Sequence, residues 1–389
     1  MKLSFLIYSY FPFGGQQRDF LRIVTECLQR GHNIDIYTQS WQGEVPENLT
    51  LIIVPAWALT RLGVYRKFTA WVANALSRQP PHTVIGFNKM PLLDVYFAAD
   101  PCFVEKALTQ RGIYYRFTSR FRHFKAYEEA VFGASSHTNV LLLSPQQRQA
   151  FTKHYPASAA RSHDLPPGIS TDRKVSKRDP AVRTELRAEL GIGADRLLLL
   201  QVGSGFRVKG VDRSLRAVAA LPQTLRQRCH YLLVGRDKPK PFLRQAQQLG
   251  IAEQVTILSG RSDIPRFFAA ADILLHPAYL ESAGYVLLEA AIAGLPVLTT
   301  ASCGYAFHIE RAEAGLVCNE PFDQMQLNAK LAQMLEQLPM ANWSANGLRY
   351  GSNADLYTMP QVAADLIEQF TQAGDVATTT ESEAPGQSR

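Results

Sequence analysis

Short runs of apolar, β-branched and aromatic residues alternate with longer amphipathic stretches from the start of the chain, and this alternation stops once and then begins again. Such a pattern is that of βα units around a parallel sheet. It excludes disorder, collagen and coiled coil as descriptions of the whole. The first set of strand candidates is Leu3 to Tyr8, Ile34 to Thr38, Leu51 to Val54, Val84 to Phe87, Val95 to Ala98 and Val140 to Leu143. Between the first two, Phe20, Ile23, Val24, Cys27 and Leu28 keep a 3.6-residue period that Gly31 stops, which predicts a helix.

The break comes at Leu165-Pro-Pro-Gly168 and a polar stretch that follows it to about Asp195. The pattern restarts at Leu197 to Val202 and continues with Tyr231 to Val234, Val255 to Leu258, Ile273 to His276, Val297 to Thr300 and Leu316 to Cys318. The expected fold class is therefore α/β with two Rossmann-like, doubly wound domains facing across a cleft. The expected division is 1–168, 169–354, a helix over 355–373 returning to the first domain, and a disordered tail over 374–389, where the chain is rich in Thr, Glu, Ser, Pro and Gly. Ligands of such sheets sit beyond the carboxyl ends of the strands.

With 389 residues, 46% of them hydrophobic, the chain is long enough for two cores. Charge divides unevenly, since residues up to Gly168 carry 18 Lys and Arg against 11 Asp and Glu, whereas the remainder carries 23 of each. The whole excess of +7 thus lies in the first half, which points to an anionic partner there. Five widely spaced cysteines form no C-x-x-C pair and have no histidine at a spacing that suggests zinc ligands, which fits a reducing cytosol. The apolar start is followed at once by Pro12, Gly14, Gly15 and Arg18, unlike a signal peptide, and no stretch approaches the roughly 18 to 20 apolar residues that cross a bilayer. Any membrane contact is expected to be peripheral.

Three stretches carry the candidate chemistry. Glu281-Ser-Ala-Gly-Tyr-Val-Leu-Leu-Glu289 follows a strand and opens a helix for which Ser282 is the expected N-cap and Gly294 the stop. The N–H groups of Gly284, Tyr285 and Val286 at that helix start would favour an anion or a sugar hydroxyl. Glu289 is the only charge between Ser282 and Ala301, and a carboxylate in so apolar a helix is costly to bury unless it is hydrogen-bonded or opens onto a cleft. Gly203-Ser-Gly-Phe-Arg-Val-Lys-Gly210 places Arg207 and Lys209 between a strand and its helix, where a phosphate would rest, although its spacing is not that of a dinucleotide loop. Phe11-Pro-Phe-Gly14-Gly15-Gln-Gln-Arg18-Asp19 is the corresponding loop of the first domain, with two glycines that let a substrate approach backbone amides. Plain turn, cap and packing roles would account for each of the three taken singly.

Together and in order, these stretches resemble the retaining GT-B glycosyltransferases of the large family that includes glycogen and sucrose-phosphate synthases. Tyr10-Phe-Pro-Phe-Gly-Gly, Gly86-Phe-Asn-Lys-Met-Pro, Asp94-Val-Tyr-Phe-Ala-Ala-Asp100, Leu165-Pro-Pro-Gly-Ile, Lys209-Gly-Val-Asp-Arg-Ser and His276-Pro-Ala-Tyr resemble, in addition, the lipopolysaccharide core glucosyltransferases, which add the first hexose to the inner-core heptose. The resemblance implies a UDP-sugar donor, UDP-glucose foremost, on the second domain and a heptosylated lipopolysaccharide acceptor on the first. It also implies that Glu289 holds the ribose, that Glu281 faces the donor sugar, and that Lys209 and Arg173 bind the diphosphate, with Arg207 standing two residues from the lysine. Asp100 occupies the strand end where many relatives carry a histidine, and with Asp19 it joins Glu281 as a candidate catalytic carboxylate.

Fixed cations and helix N-termini would stabilise the charge that develops on the leaving diphosphate. Metal-using transferases of the other common architecture resemble one another in an Asp-x-Asp, and no two aspartates here stand two positions apart, so the resemblance implies no metal; the UDP-sugar is a substrate, and no cofactor is expected. Retention by a same-face route and by double displacement through Glu281 both stay open. A nucleotide-sugar epimerase shares the architecture and is the rival enzyme class; a nicotinamide oxidoreductase lacks its glycine fingerprint and ribose acid, and the acidic and basic motif residues stand against a non-catalytic membrane protein.

From Lys106 to Lys125 there are six basic residues and no acidic one, interleaved with aromatic side chains. The spacing of Tyr114, Phe117, Phe121 and Phe124 predicts one helical face, with Arg116, Arg120 and Arg122 beside it. Such a stripe either packs into the core or lies on an anionic membrane; the basic excess of this half and the lipid-borne acceptor that the resemblance implies point to the membrane, here the cytoplasmic face of a bacterial inner membrane. No nucleic-acid-binding motif accompanies the charge.

Overall fold

The computed structural model describes residues 1–12, 14–80, 82–338 and 340–382, the last nine of these by backbone alone. The chain divides into two compact units, one of Met1–Gly168 with Thr358–Arg389 and the other of Ile169–Tyr357.

The first unit holds a parallel seven-stranded sheet in the order Leu49–Ile53, Asn33–Thr38, Lys2–Leu6, Thr83–Gly86, Val95–Phe97, Asn139–Leu142 and Ser162–Asp164. Six of these are expected strands, with ends displaced by one or two residues. The seventh, Ser162-His-Asp164, has no apolar residue and gives no sequence signal; it forms because Asn139–Leu142 presents an unpaired edge. Ser9–Tyr10 and Ser40–Trp41 add a two-stranded ribbon.

The second unit has a six-stranded parallel sheet in the order Val255–Leu258, Cys229–Val234, Leu197–Val202, Ile273–His276, Val297–Thr300 and Gly315–Cys318. This is the 3-2-1-4-5-6 order of doubly wound folds. Apolar residues fill both faces. Leu198, Leu200, Leu232 and Leu274 bury one side and Leu199, Tyr231, Leu233 and Leu275 the other. Strands buried on both faces read as near-continuous apolar runs, which is why they were visible in the sequence.

The last helix, Met359–Ser382, belongs to the first unit and packs on helix Gly15–Gln29. Arg30, just past the end of that helix, ties the two together through Asp365 at 2.6 Å, Glu368 at 3.3 Å and the Gln361 carbonyl at 3.2 Å. Met359, Ala363, Ala364 and Ile367 are buried. The expectation of a disordered tail from Gly374 is corrected for residues 374–382, where the helix continues, because extending a formed helix costs far less than starting one. The remainder of that expectation, 383–389, lies outside the described residues.

Ile367→Ala, which leaves a void beneath this helix, is expected to cost about 2–4 kcal/mol in urea unfolding of the full chain.

Candidate donor-binding site

In a doubly wound sheet the neighbours of the first strand leave it in opposite directions, and the loops beyond the carboxyl ends of strands one and four flank the gap. In the second unit those strands are Leu197–Val202 and Ile273–His276, and their loops are the ones that carry Lys209 and Glu281. Two motifs over seventy positions apart in sequence meet because of this strand order. The Tyr279 N–H donates to the Val208 carbonyl at 2.8 Å, joining the loops. Gly210 has φ of +72°, and a Cβ there would stand 1.9 Å from the Pro277 carbonyl oxygen, so only glycine allows the approach.

Glu281 sits at the centre. Its Oε1 accepts a short hydrogen bond from Lys209 Nζ, and its Oε2 lies 2.7 Å from His276 Nε2. The His276 side chain is fully buried and that of Glu281 is 16% exposed. Burial alone would raise the Glu281 carboxyl, but the charges and hydrogen bonds of His276 and Lys209 outweigh it and hold it at about 2. Its backbone is clamped as well, donating to the Ser302 carbonyl at 3.2 Å and accepting from the Gly304 N–H at 2.9 Å.

Lys209 is fixed from beneath. The fully buried Gln201 donates to the Lys209 carbonyl at 2.7 Å, while its own Oε1 accepts from Ser214 Oγ at 2.7 Å and Tyr231 OH at 2.6 Å. Gln201 and His276 were missed as site residues. The signal for the first is one amide in a strand that otherwise reads Leu-Leu-Leu-Leu-Gln-Val; for His276 it is the polar end of Ile-Leu-Leu-His.

The helix after Glu281 spans Tyr285–Ile292 and is capped by Gly284 with φ of +99°, not by the expected Ser282. The left-handed turn needs glycine, and the chain at 281–283 is already held in the bridge to Cys303 and in the Tyr305 N–H bond to the Ala283 carbonyl. Tyr285 packs edge-on against Tyr305 at 5.4 Å. Glu289 is half-buried among the buried Leu287, Leu288, Ala290 and Ala291, and Val286 is half-buried on the same helix. Arg207 is exposed in the glycine loop. Arg173 lies on a separate short turn, Thr171–Arg173, with Nε 3.4 Å from Asp172. The structure thus joins Lys209 to Glu281 directly.

Among the described residues, one group of three metal-capable side chains stands together, His276, Glu281 and Cys303, with ligand atoms within 4.8 Å of one another. Burial and the neighbouring Glu281 charge push the Cys303 thiol up to about 12, so it keeps its proton at neutral pH. The Glu281 carboxylate is engaged by Lys209 and His276.

The remaining candidates belong to the first unit. A Cβ on Gly14 would meet the end of the Gln17 side chain, Oε1 at 1.8 Å, whereas a Cβ on Gly15 would meet nothing within 4 Å. Gly15 starts the helix Gly15–Gln29, on which Asp19 is buried. Asp100 is exposed at the end of its strand, where Gln147 Nε2 donates to the carbonyl of Ala98 at 2.6 Å. Beside it, the fully buried Glu128 accepts from the N–H groups of Phe103 at 2.6 Å and Val104 at 3.0 Å and pairs with Lys89, fixing helix Ser119–Phe132 to helix Phe103–Gln110.

The expected single aromatic helix over 114–124 is corrected to two pieces. Ile113–Phe117 is a 3-10 turn, and helix Ser119–Phe132 begins after Thr118, whose side chain accepts from the Phe121 N–H at 3.1 Å. A threonine in extended conformation caps a new helix better than it continues an old one. Tyr114 and Phe117 are 84% and 76% exposed, whereas Phe121 and Phe124 turn inward onto Phe103 at 5.7 and 5.4 Å. Arg116, Arg120, Arg122 and Lys125 are exposed, and the Arg120 guanidinium stands 5.1 Å from the Phe124 ring centre.

The Glu281 carboxyl is depressed, so it adds stability above its unfolded value near 4.3 and loses that contribution as pH falls towards about 2. Glu281→Gln is expected to flatten the acid-side fall of unfolding free energy in that window relative to the parent chain, read by urea melts at stepped pH. Identical slopes in the two proteins would remove the ion-pair cluster.

Known proteins share this two-unit fold and sequence. The family profile described as "Glycosyltransferase Family 4" matches residues 13–173, and that of "Glycosyl transferases group 1" matches residues 182–349. The chain is 49% identical over 368 residues to lipopolysaccharide glucosyltransferase WaaG of Escherichia coli strain K12, covering 94% of this chain and 98% of that protein. The crystal structure of WaaG, a glycosyltransferase involved in lipopolysaccharide biosynthesis, superposes with a TM-score of 0.87 at 49% identity, over 94% of this chain and 99% of that one. The fold alone is shared with sucrose-phosphate synthase of Thermosynechococcus elongatus, with a TM-score of 0.72 at 18% identity over 98% of this chain and 100% of that one. With a near full-length relative at this identity and profiles on both halves, the chain belongs to the group 1 and family 4 glycosyltransferases of the GT-B fold.

Proposed function

We propose that this enzyme transfers glucose, with retention of configuration and in an α1,3 linkage, from UDP-glucose to the inner-core heptose of lipopolysaccharide. The observation that carries the reading is the cluster of Lys209, Glu281 and His276 at the switch point of the second sheet, in a chain 49% identical to a lipopolysaccharide glucosyltransferase. The cluster offers one ammonium group in a glycine loop that leaves room for phosphate. Glu281 holds that ammonium in place; an entering diphosphate shares it, and the charge that grows as the anomeric bond breaks meets a cation already positioned. Arg173 and Arg207 add charge to the same diphosphate, and Glu289 takes the ribose hydroxyls.

The engagement of Glu281 favours a same-face route. A carboxylate held by two partners is a weak nucleophile, and it keeps its role by orienting the donor sugar. The acceptor hydroxyl then gives its proton towards the departing phosphate oxygen. Asp100 and Asp19, on the first unit, are assigned to the acceptor. Metal independence is part of the proposal, supported by the protonated Cys303 and the occupied Glu281. An epimerase reading has no specific observation in its favour.

The acceptor is carried by a membrane, and the proposal extends to peripheral binding at the anionic inner-membrane surface. No helix among the described residues is long and apolar enough to cross a bilayer. The exposed Tyr114 and Phe117 lie among Arg116, Arg120, Arg122 and Lys125, the arrangement of an interfacial anchor.

Lys209→Ala and Glu289→Ala are expected to lower turnover about a hundredfold while the chain stays folded by circular dichroism. UDP release from UDP-glucose is expected to require heptosylated acceptor and to survive excess EDTA; release without acceptor, or loss on chelation, would overturn the corresponding part. Tyr114→Ser with Phe117→Ser is expected to weaken sedimentation with anionic vesicles about tenfold, since both rings face solvent and their loss leaves the core intact.

A further inference from the structure

A second exposed apolar tip lies elsewhere in the first unit, in a segment that none of the site motifs includes. Trp57 is 73% exposed and Leu59 91%, in the loop that leads into helix Arg61–Leu76. Single exposed apolar side chains are common, but large ones that cluster within a polar rim mark an interaction site.

The packing of two helices locates this tip. Tyr65 of helix Arg61–Leu76 lies against His123 and Phe124 of helix Ser119–Phe132, with ring centres 6.3 and 6.0 Å apart. One turn later, Tyr127 OH donates to Thr69 Oγ1 at 3.1 Å. The contact advances by one turn along both helices together, so the two run side by side in the same direction. Each begins about one turn before the contact, so their N-termini are level. The segments that precede them, Trp57 to Thr60 and Ile113 to Thr118, therefore leave the unit at the same end.

The two helix starts are built alike. Thr60 caps one helix by accepting from the Gly63 N–H at 3.1 Å, and Thr118 caps the other. Each threonine is extended, which directs the incoming chain away from the helix axis. Gly63 lets the first loop fold close, since a Cβ there would stand 2.8 Å from Ala58 Cβ. Neither first turn carries an acidic residue. Instead Arg61 opens one helix and Arg120 and Arg122 lie in the opening turns of the other, where the helix dipole disfavours cations. Between Asn48 and Leu93 there is no Asp or Glu, while Arg61, Arg66 and Lys67 are exposed. An anionic layer in front of both helix ends answers the cations and the two helix N-termini at once.

We infer that Trp57 and Leu59 form a second insertion point beside Ile113, Tyr114 and Phe117, so that the enzyme sits on an anionic lipid surface through two apolar tips within one basic rim. This rests on the membrane reading above and adds to it a fixed orientation, because two points separated on one face resist tilting where one does not. Of the occupants such a face could have, lipid fits an apolar tip ringed by arginines, with tryptophan at the headgroup level.

The test uses the full-length protein with vesicles of mixed phosphatidylglycerol and phosphatidylcholine. Brominated acyl chains are expected to quench the tryptophan fluorescence of the parent chain, and Trp57→Phe is expected to lose most of that quenching while still binding. Trp57→Ser with Leu59→Ser is expected to weaken binding about tenfold, as Tyr114→Ser with Phe117→Ser does. Quenching that is unchanged in Trp57→Phe, together with full binding by the Trp57→Ser and Leu59→Ser variant, would overturn the second tip while leaving the first. A parent chain that binds no anionic vesicle would overturn both, and the tip would then be a protein contact, read as a concentration-dependent mass in solution.

Discussion

The carboxylate of Glu281 is the point on which the second unit's site turns. It is held by a lysine from one loop and a histidine from the neighbouring strand, and its backbone is clipped to the loop that follows the next strand. Three segments of chain are thereby held around one group. Burying a carboxylate is costly, and the two partners offset that cost only if both are in place, so the arrangement is self-checking. Gln201 extends the same logic downward, because a buried amide satisfied by Ser214, Tyr231 and the Lys209 carbonyl leaves the glycine loop one backbone path.

A pre-positioned cation is what phosphate-leaving chemistry requires. Reorganising a lysine during the reaction would cost part of the stabilisation it gives, and an ion pair made in advance avoids that. The same pairing engages both carboxylate oxygens of Glu281, which is why the proposed function gives it a positioning role in place of a nucleophilic one. A motif glutamate can be held for its geometry as much as for its charge.

The first unit follows a different rule. Its helices are tied together by buried and partly buried polar contacts, Glu128 with Lys89 and the amides of Phe103 and Val104, and Tyr127 with Thr69. Trp57, Tyr114 and Phe117, in the segments that precede two of these helices, stay exposed. The periodicity of Tyr114, Phe117, Phe121 and Phe124 is helical on paper, yet Thr118 ends one turn and caps the next helix, so half of the stripe faces inward and half outward. Periodicity reads which residues could share a face. It does not read where a capping threonine interrupts that face.

Much of the fold was legible in the residues. Leucine-rich runs such as Leu197 to Val202 announce strands because a strand covered on both faces has no polar side to vary, and the glutamates, lysine and glycines of the motifs stand out for their chemistry. Ser162 to Asp164 was silent because an edge strand is recruited by backbone pairing, which any side chain permits. The sequence by itself determined the two sheets, the break between them, the excess of positive charge in the first half and the residue types available for binding phosphate. Only the tertiary structure decided that Lys209 and Glu281 meet, that His276 and Gln201 hold them, and that Trp57 comes to the same end as Phe117. The physical reason is that strand order and helix direction set which distant residues become neighbours, and neither is written in any local run of sequence.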